Sequence, residues 1–307
     1  MASLIRELIA KLTRNVTELN GSGLIDLSNL SSQEVRLFEQ AWAGVEPELR
    51  RQIIFKLVEL THDNFELNFD SIFTTCLKDN DAEVRSRAID GLRESEEPSL
   101  INPLLKLLER DSSETVQAAA ATALGNFAKL AELKKLRHCY MSGVEQALLA
   151  AIGDENRSIE VRCRALEAVA IISQPQVRKS IMEAYESGDD TLKISAIYAM
   201  GKNCDGSWLP ILLRELSSAE VKVRYKATET CGELGEVEAV PHLVELVNDS
   251  DDEMALLAIK ALGKIGGSEA KWYLEQCLDT PEEIISEAVG QALDELKSEE
   301  DLFHFKD

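Results

Sequence analysis

A rhythm of about thirty residues constrains this chain more than any other feature of it. From Val84 onward, seven stretches follow one pattern: EVRSRAIDGL, TVQAAAATALG, EVRCRALEAV, TLKISAIYAMG, KVRYKATETCGELG, EMALLAIKALGKIG and EIISEAVGQAL. Their first apolar residues are Val84, Val116, Val161, Leu192, Val223, Met254 and Ile284, at steps of 32, 45, 31, 31, 31 and 30. A weaker copy, ELRRQIIFKLVEL, starts at Leu49. A fixed period of this length marks a repeat architecture, in which no unit buries its apolar face alone and each stacks on its neighbours.

Periodicity inside each copy predicts two helices. In one copy Val223, Ala227 and Cys231 fall at i, i+4 and i+8, one face of a helix turning about 100° per residue. The segment before it places Leu209, Leu212, Leu213 and Leu216 at i, i+3, i+4 and i+7, a second apolar stripe. Small residues in the second helix (Ala88, Ala120, Ala165, Ala196, Ala227, Ala258, Ala288) permit close helix approach. Gly125, Gly201, Gly232 and Gly263, with Gly235 and Gly266, are expected at helix ends and tight turns. Pro103, Pro210 and Pro241 sit near the start of first helices, where a missing N–H costs least.

The pattern resembles HEAT repeats, and its short step resembles the HEAT-like repeats first associated with phycobilisome lyases. The Asp-x-x-Val-Arg signature stands at Asp81-Ala82-Glu83-Val84-Arg85, and Val-Arg recurs at Val161-Arg162 and Val223-Arg224, with Arg50 and Lys193 in equivalent slots. The resemblance implies an all-α, right-handed α-solenoid of about eight helix pairs, with second helices lining its concave side. It covers residues 34–296, preceded by an N-terminal capping helix and loop (1–33) and followed by an acidic tail (297–307).

Two sets of residues stand out on this frame. The first is a structural ladder: Arg50, Arg85, Arg162, Lys193 and Arg224 alternate with turn acids such as Asp81, Asp111, Asp154, Asp190 and Asp252. A guanidinium there can cross to a neighbouring turn and satisfy helix-end carbonyls and carboxylates. The second set comes from numbering each second helix from its first apolar residue. Positions one, five and nine face the core, so positions three and seven point away from it. Position three gives Cys163, Ile194, Tyr225 and Leu256 in successive copies, and position seven gives Glu167, Tyr198, Glu229 and Lys260. These eight residues are the candidate surface for a partner. Glu167 and Glu229 point to a partner carrying basic residues.

The ends and the one long step carry less. Leu4, Leu8, Leu12, Val16 and Leu19 line an amphipathic helix expected to end at Gly21 and Gly23, and Ser31-x-x-Glu34 reads as a capping box. The 45-residue step marks an insertion near 128–143, AKLAELKKLRHCYMSG, the one basic island in the sequence. It is expected as a lengthened helix and solvated loop. Leu302, Phe303 and Phe305 interrupt a tail expected to be frayed.

Composition narrows the function. With 33 Lys+Arg against 55 Asp+Glu, the formal net charge over 307 residues is −22, which argues against nucleic acid, whose phosphates require clustered cations. No apolar run approaches the ~18 residues of a spanning helix, and Arg6, Glu7 and Lys11 interrupt the N-terminal segment. Six cysteines lie scattered with no C-x-x-C pair, as expected of a reducing, cytoplasmic setting. None of the four histidines (His62, His138, His242, His304) precedes a glutamate, whereas the HEAT-type deoxyhypusine hydroxylases hold a di-iron site with repeated His-Glu pairs. No catalytic residues, metal ligands or cofactor are expected. The sequence therefore points to a non-catalytic scaffold that binds a protein or peptide. The alternative is a bilin lyase or another protein-modifying enzyme on the same repeats.

Overall fold

The computed structural model describes residues 21–64, 66–137, 140–278 and 282–304, with side chains from 23 to 297. Among the described residues there are α-helices, short 3-10 turns and no strand. A short helix, α1 (Gly21–Ile25), precedes eight antiparallel pairs. Each pair is a first helix followed by a second. They are α2 (Ser32–Trp42) with α3 (Pro47–Asp63), α4 (Asp70–Cys76) with α5 (Ala82–Gly91), α6 (Ile101–Arg110) with α7 (Glu114–Glu132), and α8 (Met141–Gly153) with α9 (Ile159–Val169). Then follow α10 (Pro175–Tyr185) with α11 (Asp190–Asn203), α12 (Leu209–Glu215) with α13 (Val221–Leu234), α14 (Val240–Val247) with α15 (Asp252–Ile265), and α16 (Gly267–Gln276) with α17 (Glu283–His304). The helices form two compact units, Met1–Val169 and Ala170–Asp307, each holding four pairs.

Helix starts follow from turn chemistry. Asp81 accepts from the backbone N–H of Glu83 (2.9 Å) and Val84 (3.2 Å), and Asp189 from Thr191 (2.9 Å) and Leu192 (3.0 Å). Asp251 accepts from Glu253 N–H at 3.1 Å. Each such cap stabilises by about 1 kcal/mol. The caps on α11 and α15 are thus Asp189 and Asp251, each one residue before the turn acids Asp190 and Asp252. At the start of α2 the Ser31 N–H donates to Glu34 Oε2 at 2.9 Å, the backward half of the expected capping box.

Core positions one, five and nine are buried as the periodicity requires: Val116, Ala120 and Leu124 in α7, and Leu192, Ala196 and Met200 in α11. In α17 the register differs by one residue. Ile284 is 64% exposed, while Ile285, Val289, Ala292 and Leu293 are buried, so the copy starts at Ile285 and its step becomes 31. Adjacent isoleucines hide this choice from the sequence, and packing makes it.

Second helices are buried on a further face as well, because sister second helices pack side by side within each unit, on both sides of α5, α7, α13 and α15. Position six is as dry as position one: Ile89, Ala121, Leu166, Ile197, Thr228 and Ile259 are at most 2% exposed. Position ten explains four of the glycines. A Cβ on Gly125 would meet Ala168 Cα at 3.0 Å, one on Gly232 would meet Ala261 Cα at 2.8 Å, and one on Gly263 would meet Ala292 Cβ at 3.1 Å. A Cβ on Gly201 would meet Thr230 Cγ2 at 2.9 Å. All four let neighbouring second helices touch; Gly201, Gly232 and Gly263 lie in the last turn of their helices, whereas Gly125 lies well inside α7, which corrects its expected place at a helix end. Gly235 (φ 76°) and Gly266 (φ 65°) do end helices, in the left-handed half of backbone space where glycine is at no disadvantage.

The insertion lengthens α7 to Glu132, and Lys134 turns the chain with φ 59°. Leu133 and Lys134 are exposed, and Lys135 pairs with Glu96 at 3.3 Å. Gly21 and Gly23 fall within α1, and α17 continues through His304, so the backbone has no break at 297. The expected helix over 1–20, His138 with Cys139, and the side chains of the acidic tail lie outside the described residues. Among the described residues no helix is long and apolar enough to cross a membrane.

Candidate partner-binding surface

With positions one, five, six, eight, nine and ten of a second helix buried, the open arc holds positions four, seven and eleven, with position three at its margin. At about 100° per residue, four, seven and eleven lie within one-sixth of a turn of their common centre. This shifts the surface expected from sequence.

In the second unit, Tyr198 of α11 is half-buried, with Lys202 Nζ and Lys226 Nζ each 5.4 Å from its ring centroid. Lys226 pairs with Glu229 at 2.6 Å. Glu233 of α13 takes Lys202 from one neighbouring helix at 3.4 Å and Lys264 from the other. Those two lysines hold the Glu233 carboxyl below the usual range, Lys264 most strongly. Position eleven thus alternates Lys202, Glu233, Lys264 along three successive helices. That alternation stands in the sequence, yet an inspection of positions three and seven passes over it. Lys260 is exposed, while Ile194 and Leu256 are half-buried at the margin.

Tyr225 does more than face outward. Its hydroxyl donates to Asp251 Oδ2 at 2.7 Å, holding the residue that caps α15, and that bond pushes the phenol up to about 12. Arg51, at the same position of α3, makes the matching contact to the α5 cap, Asp81, at 2.7 and 2.9 Å. In these two copies position three is therefore a clamp between a second helix and the next cap.

In the first unit the expectation for Cys163 is corrected. It is 2% exposed, because position three borders the dry face made by positions six and ten, and a partner cannot reach it. Glu167 is bound to Arg164 at 2.7 Å. Because Glu167 and Glu229 both have cations of their own chain, neither demands a basic partner. The open arc of this unit also holds a cleft of about 220 Å³ lined by Ser86, Arg87, Asp90, Arg93, Thr122 and Asn126, with Arg87 stacked 5.2 Å over the Phe55 ring.

The ladder residues divide into two kinds. Arg50 grips Asp79 (2.7 Å), Arg85 grips Asp111 (2.7 Å) and Lys193 reaches Glu215 (2.9 Å), all crossing to the next turn. Arg162 donates to Ile152 O (3.0 Å) and Arg224 to Ser218 O (2.8 Å), closing their own turns. Asp154 takes no ladder cation. Asn156 and Arg157 surround it, because the Arg162 guanidinium is spent on the carbonyl of Ile152. Asp81 receives Arg51, not a position-two cation. Arg157, which periodicity does not flag, reaches back to Leu108 O (2.7 Å) and Gln117 Oε1 (2.9 Å), supplying a guanidinium where the ladder has only Gln117.

Stacked helix pairs, clamped turn to turn and offering one open arc per second helix, define a helical-repeat protein. The HEAT-repeat family profile matches residues 71–146 and 209–294, more than half of the sequence. The chain belongs to the HEAT-repeat family and is an all-α solenoid of such repeats. Deoxyhypusine hydroxylase of Drosophila melanogaster is 29% identical over 128 residues, 40% of this chain, and the chain spans 42% of that protein's length. The complex of CpcE and CpcF of phycocyanin lyase from Nostoc sp. PCC7120 is 16% identical, with 87% of this chain and 95% of that one covered at a TM-score of 0.52. Yeast importin-beta (Kap95p) is also 16% identical, with 96% of this chain and 42% of that one covered at a TM-score of 0.48. The likeness to the CpcE and CpcF complex is one of fold alone.

Proposed function

We propose that this chain is a non-catalytic scaffold that binds a protein or peptide partner along the open arc of its second unit, from Tyr198 to Lys260. The observation that carries the reading is the state of Tyr198. An amphipathic ring stands half-open between two lysines whose positions are fixed by carboxylates on the neighbouring helix. A pre-positioned aromatic beside charged groups offers large contact area at small ordering cost, the usual makeup of an interface hot spot. Ile194 and Leu256 add apolar edges. The reading is paired with cytoplasmic residence, resting on the scattered cysteines.

The lyase and hydroxylase likenesses are not carried over to an activity. Repeats alone supply no chemistry, and no histidine of this chain precedes a glutamate as the di-iron enzymes require. Among the described residues no group of three or more His, Cys, Asp or Glu side chains is placed to hold a metal ion.

The test is site-specific photo-crosslinking in extract of the native cell, with the photoreactive residue at Tyr198, at Lys260 and at Lys179, an exposed residue of the first helix α10. A discrete adduct common to Tyr198 and Lys260 and missing at Lys179 is expected. The same adducts at all three sites, or none at Tyr198, would overturn the proposal.

A further inference from the structure

Position two of the second helix performs one task in three of the copies. Its side chain returns to the carbonyl six residues back, in its own turn: Arg85 Nη1 to Asp79 O (2.7 Å), Gln117 Nε2 to Asp111 O (2.6 Å) and Arg224 Nη1 to Ser218 O (2.8 Å). Arg85 also reaches a carboxylate of the following turn, as Arg50 and Lys193 do in their copies, while Arg162 donates to Ile152 O, ten residues back. In the last copy Ser286 donates to a carbonyl eight residues back, that of Leu278, at 3.0 Å.

One copy breaks the series. In α15 position two is Ala255, which ends at Cβ and can donate nothing. The carbonyl six residues back is that of Asp249. The turn around it is built like its sisters: Asp249 Oδ1 accepts the N–H of the cap residue Asp251 (3.0 Å), as Asp79 does for Asp81 (2.8 Å) and Asp111 for Ser113 (2.9 Å). Where the sister turns hold a guanidinium, this one opens a cleft of about 560 Å³. Ala255 lines it together with Asn248, Asp249, Asp252, Cys277 and Glu282. Three of those residues are acids, and no lysine or arginine is among the lining residues.

We infer that this cleft receives an arginine side chain from a partner protein, in the place that the chain's own arginines fill in the sister repeats. Two separate observations meet here. The acceptor set is that of a turn which elsewhere in this structure binds a guanidinium, and the residue that would fill it is truncated to a methyl group. A planar, forked donor suits a carbonyl beside carboxylates better than a point charge does. The cleft lies at the turns and not on the Tyr198 arc, so the two proposals fail separately: crosslinking at Tyr198 says nothing of this cleft, and the experiment below says nothing of Tyr198.

The test uses the full chain, labelled with nitrogen-15, titrated with a blocked peptide carrying one arginine among alanines. Matched peptides carry citrulline or lysine in its place. The arginine peptide is expected to shift the amides of residues 249–252 and 276–278, and the citrulline peptide is not. Lysine is expected to bind more weakly. Ala255→Arg restores the missing guanidinium in cis, and is expected to abolish the titration while raising the thermal midpoint. Asp249→Asn keeps the acceptor for the Asp251 N–H and is expected to weaken binding roughly tenfold; it decides the matter should Ala255→Arg fold poorly. Equal shifts with arginine and citrulline, lysine binding as tightly as arginine, or unchanged binding in either variant would overturn the inference.

Discussion

Replacing Gly232 by alanine tests how closely the second helices are meant to approach. In an open helix the change stabilises by about 0.8–1 kcal/mol, because glycine loses more backbone freedom on folding. At Gly232 the new methyl carbon would stand 2.8 Å from Ala261 Cα, 3.0 Å from its Cβ and 3.4 Å from its carbonyl oxygen. No rotamer relieves a contact with backbone, so α13 and α15 must separate by several tenths of an ångström along their length. Overpacking of this kind costs about 1–3 kcal/mol, and with backbone as the obstacle the upper end applies. The net loss expected is about 2 kcal/mol. Gly290 of α17 supplies the control, since a Cβ there meets nothing within 4 Å. Gly290→Ala should stabilise by about 0.5–1 kcal/mol. Urea unfolding followed by far-UV circular dichroism reads both. Adding Ala261→Gly should rescue Gly232→Ala only in part, since the 2.8 Å contact is to Cα and survives the loss of Cβ. If Gly232→Ala were as stable as the parent, or Gly290→Ala were weakened equally, the close-approach argument would be refuted.

Further outcomes follow from the same contacts. Asp79, whose side chain is fully buried, binds Arg50 at 2.7 Å and accepts from Trp42 Nε1 at 2.7 Å. Asp79→Ala leaves that cation uncompensated and should cost on the order of 3–5 kcal/mol in urea melts followed by tryptophan fluorescence; a loss below about 1 kcal/mol would contradict the buried pairing. Tyr225, raised to about 12, should be among the last tyrosines to ionise in an ultraviolet titration, and Tyr225→Phe should remove that late component. Its contribution is complete below the unfolded value of 10.0 and lost as pH rises through about 12; a Tyr225 that titrates near 10 would show that the Asp251 bond is not made. Asp81 and Asp251 are lowered, chiefly by Arg51 and Tyr225 respectively, so their contribution is complete above the unfolded value of 3.8 and lost as pH falls through the lowered folded values. Asp81→Asn should flatten the acid limb of a stability profile, and a limb unchanged in that variant would count against the Arg51 clamp.

The helix pairs were legible because apolar residues on the first-helix side recur at a clean 3.6-residue spacing, and the 31-residue step fixes where each second helix begins. What the step cannot show is that a second helix has neighbours on two sides. Position six (Ile89, Leu166, Ile197, Ile259) is a second apolar series in plain view, but with only one buried face assumed it reads as part of the first. Cys163 therefore reads as open, and the glycines of position ten read as helix-end residues alone, although they also seat a neighbouring helix. Both differences have one cause, since position ten must be small only if another helix lies against it. The ladder was legible as a set of cations, while their partners were not, because whether Arg162 turns to its own carbonyl or to the next acid depends on side-chain reach. Arg157 escaped notice because it belongs to the turn after the insertion, outside the repeating register.

Comparison between copies within one chain separates the side chains that hold the stack from those that the stack does not require. Positions one, five and nine are aliphatic or small because a first helix lies on them. Position ten is glycine in four copies because a second helix lies on it. Position two carries a donor in seven copies, because a turn carbonyl or the carboxylate of the next turn lies within its reach. Position seven answers to none of these demands, and it runs Phe55, Asp90, Thr122, Glu167, Tyr198, Glu229, Lys260, Gln291. Eight copies solve the same packing problem with aromatic, acidic, basic and neutral residues in that slot, so packing does not select among them. A half-exposed tyrosine held between two lysines at such a position therefore calls for a reason outside the stack, and contact with another molecule supplies one. The same logic, run in reverse, singles out Ala255. The turn before it is built like those that Arg85, Gln117 and Arg224 close from position two, yet at Ala255 the chain supplies no side-chain donor, and the cleft left there suits a donor from elsewhere.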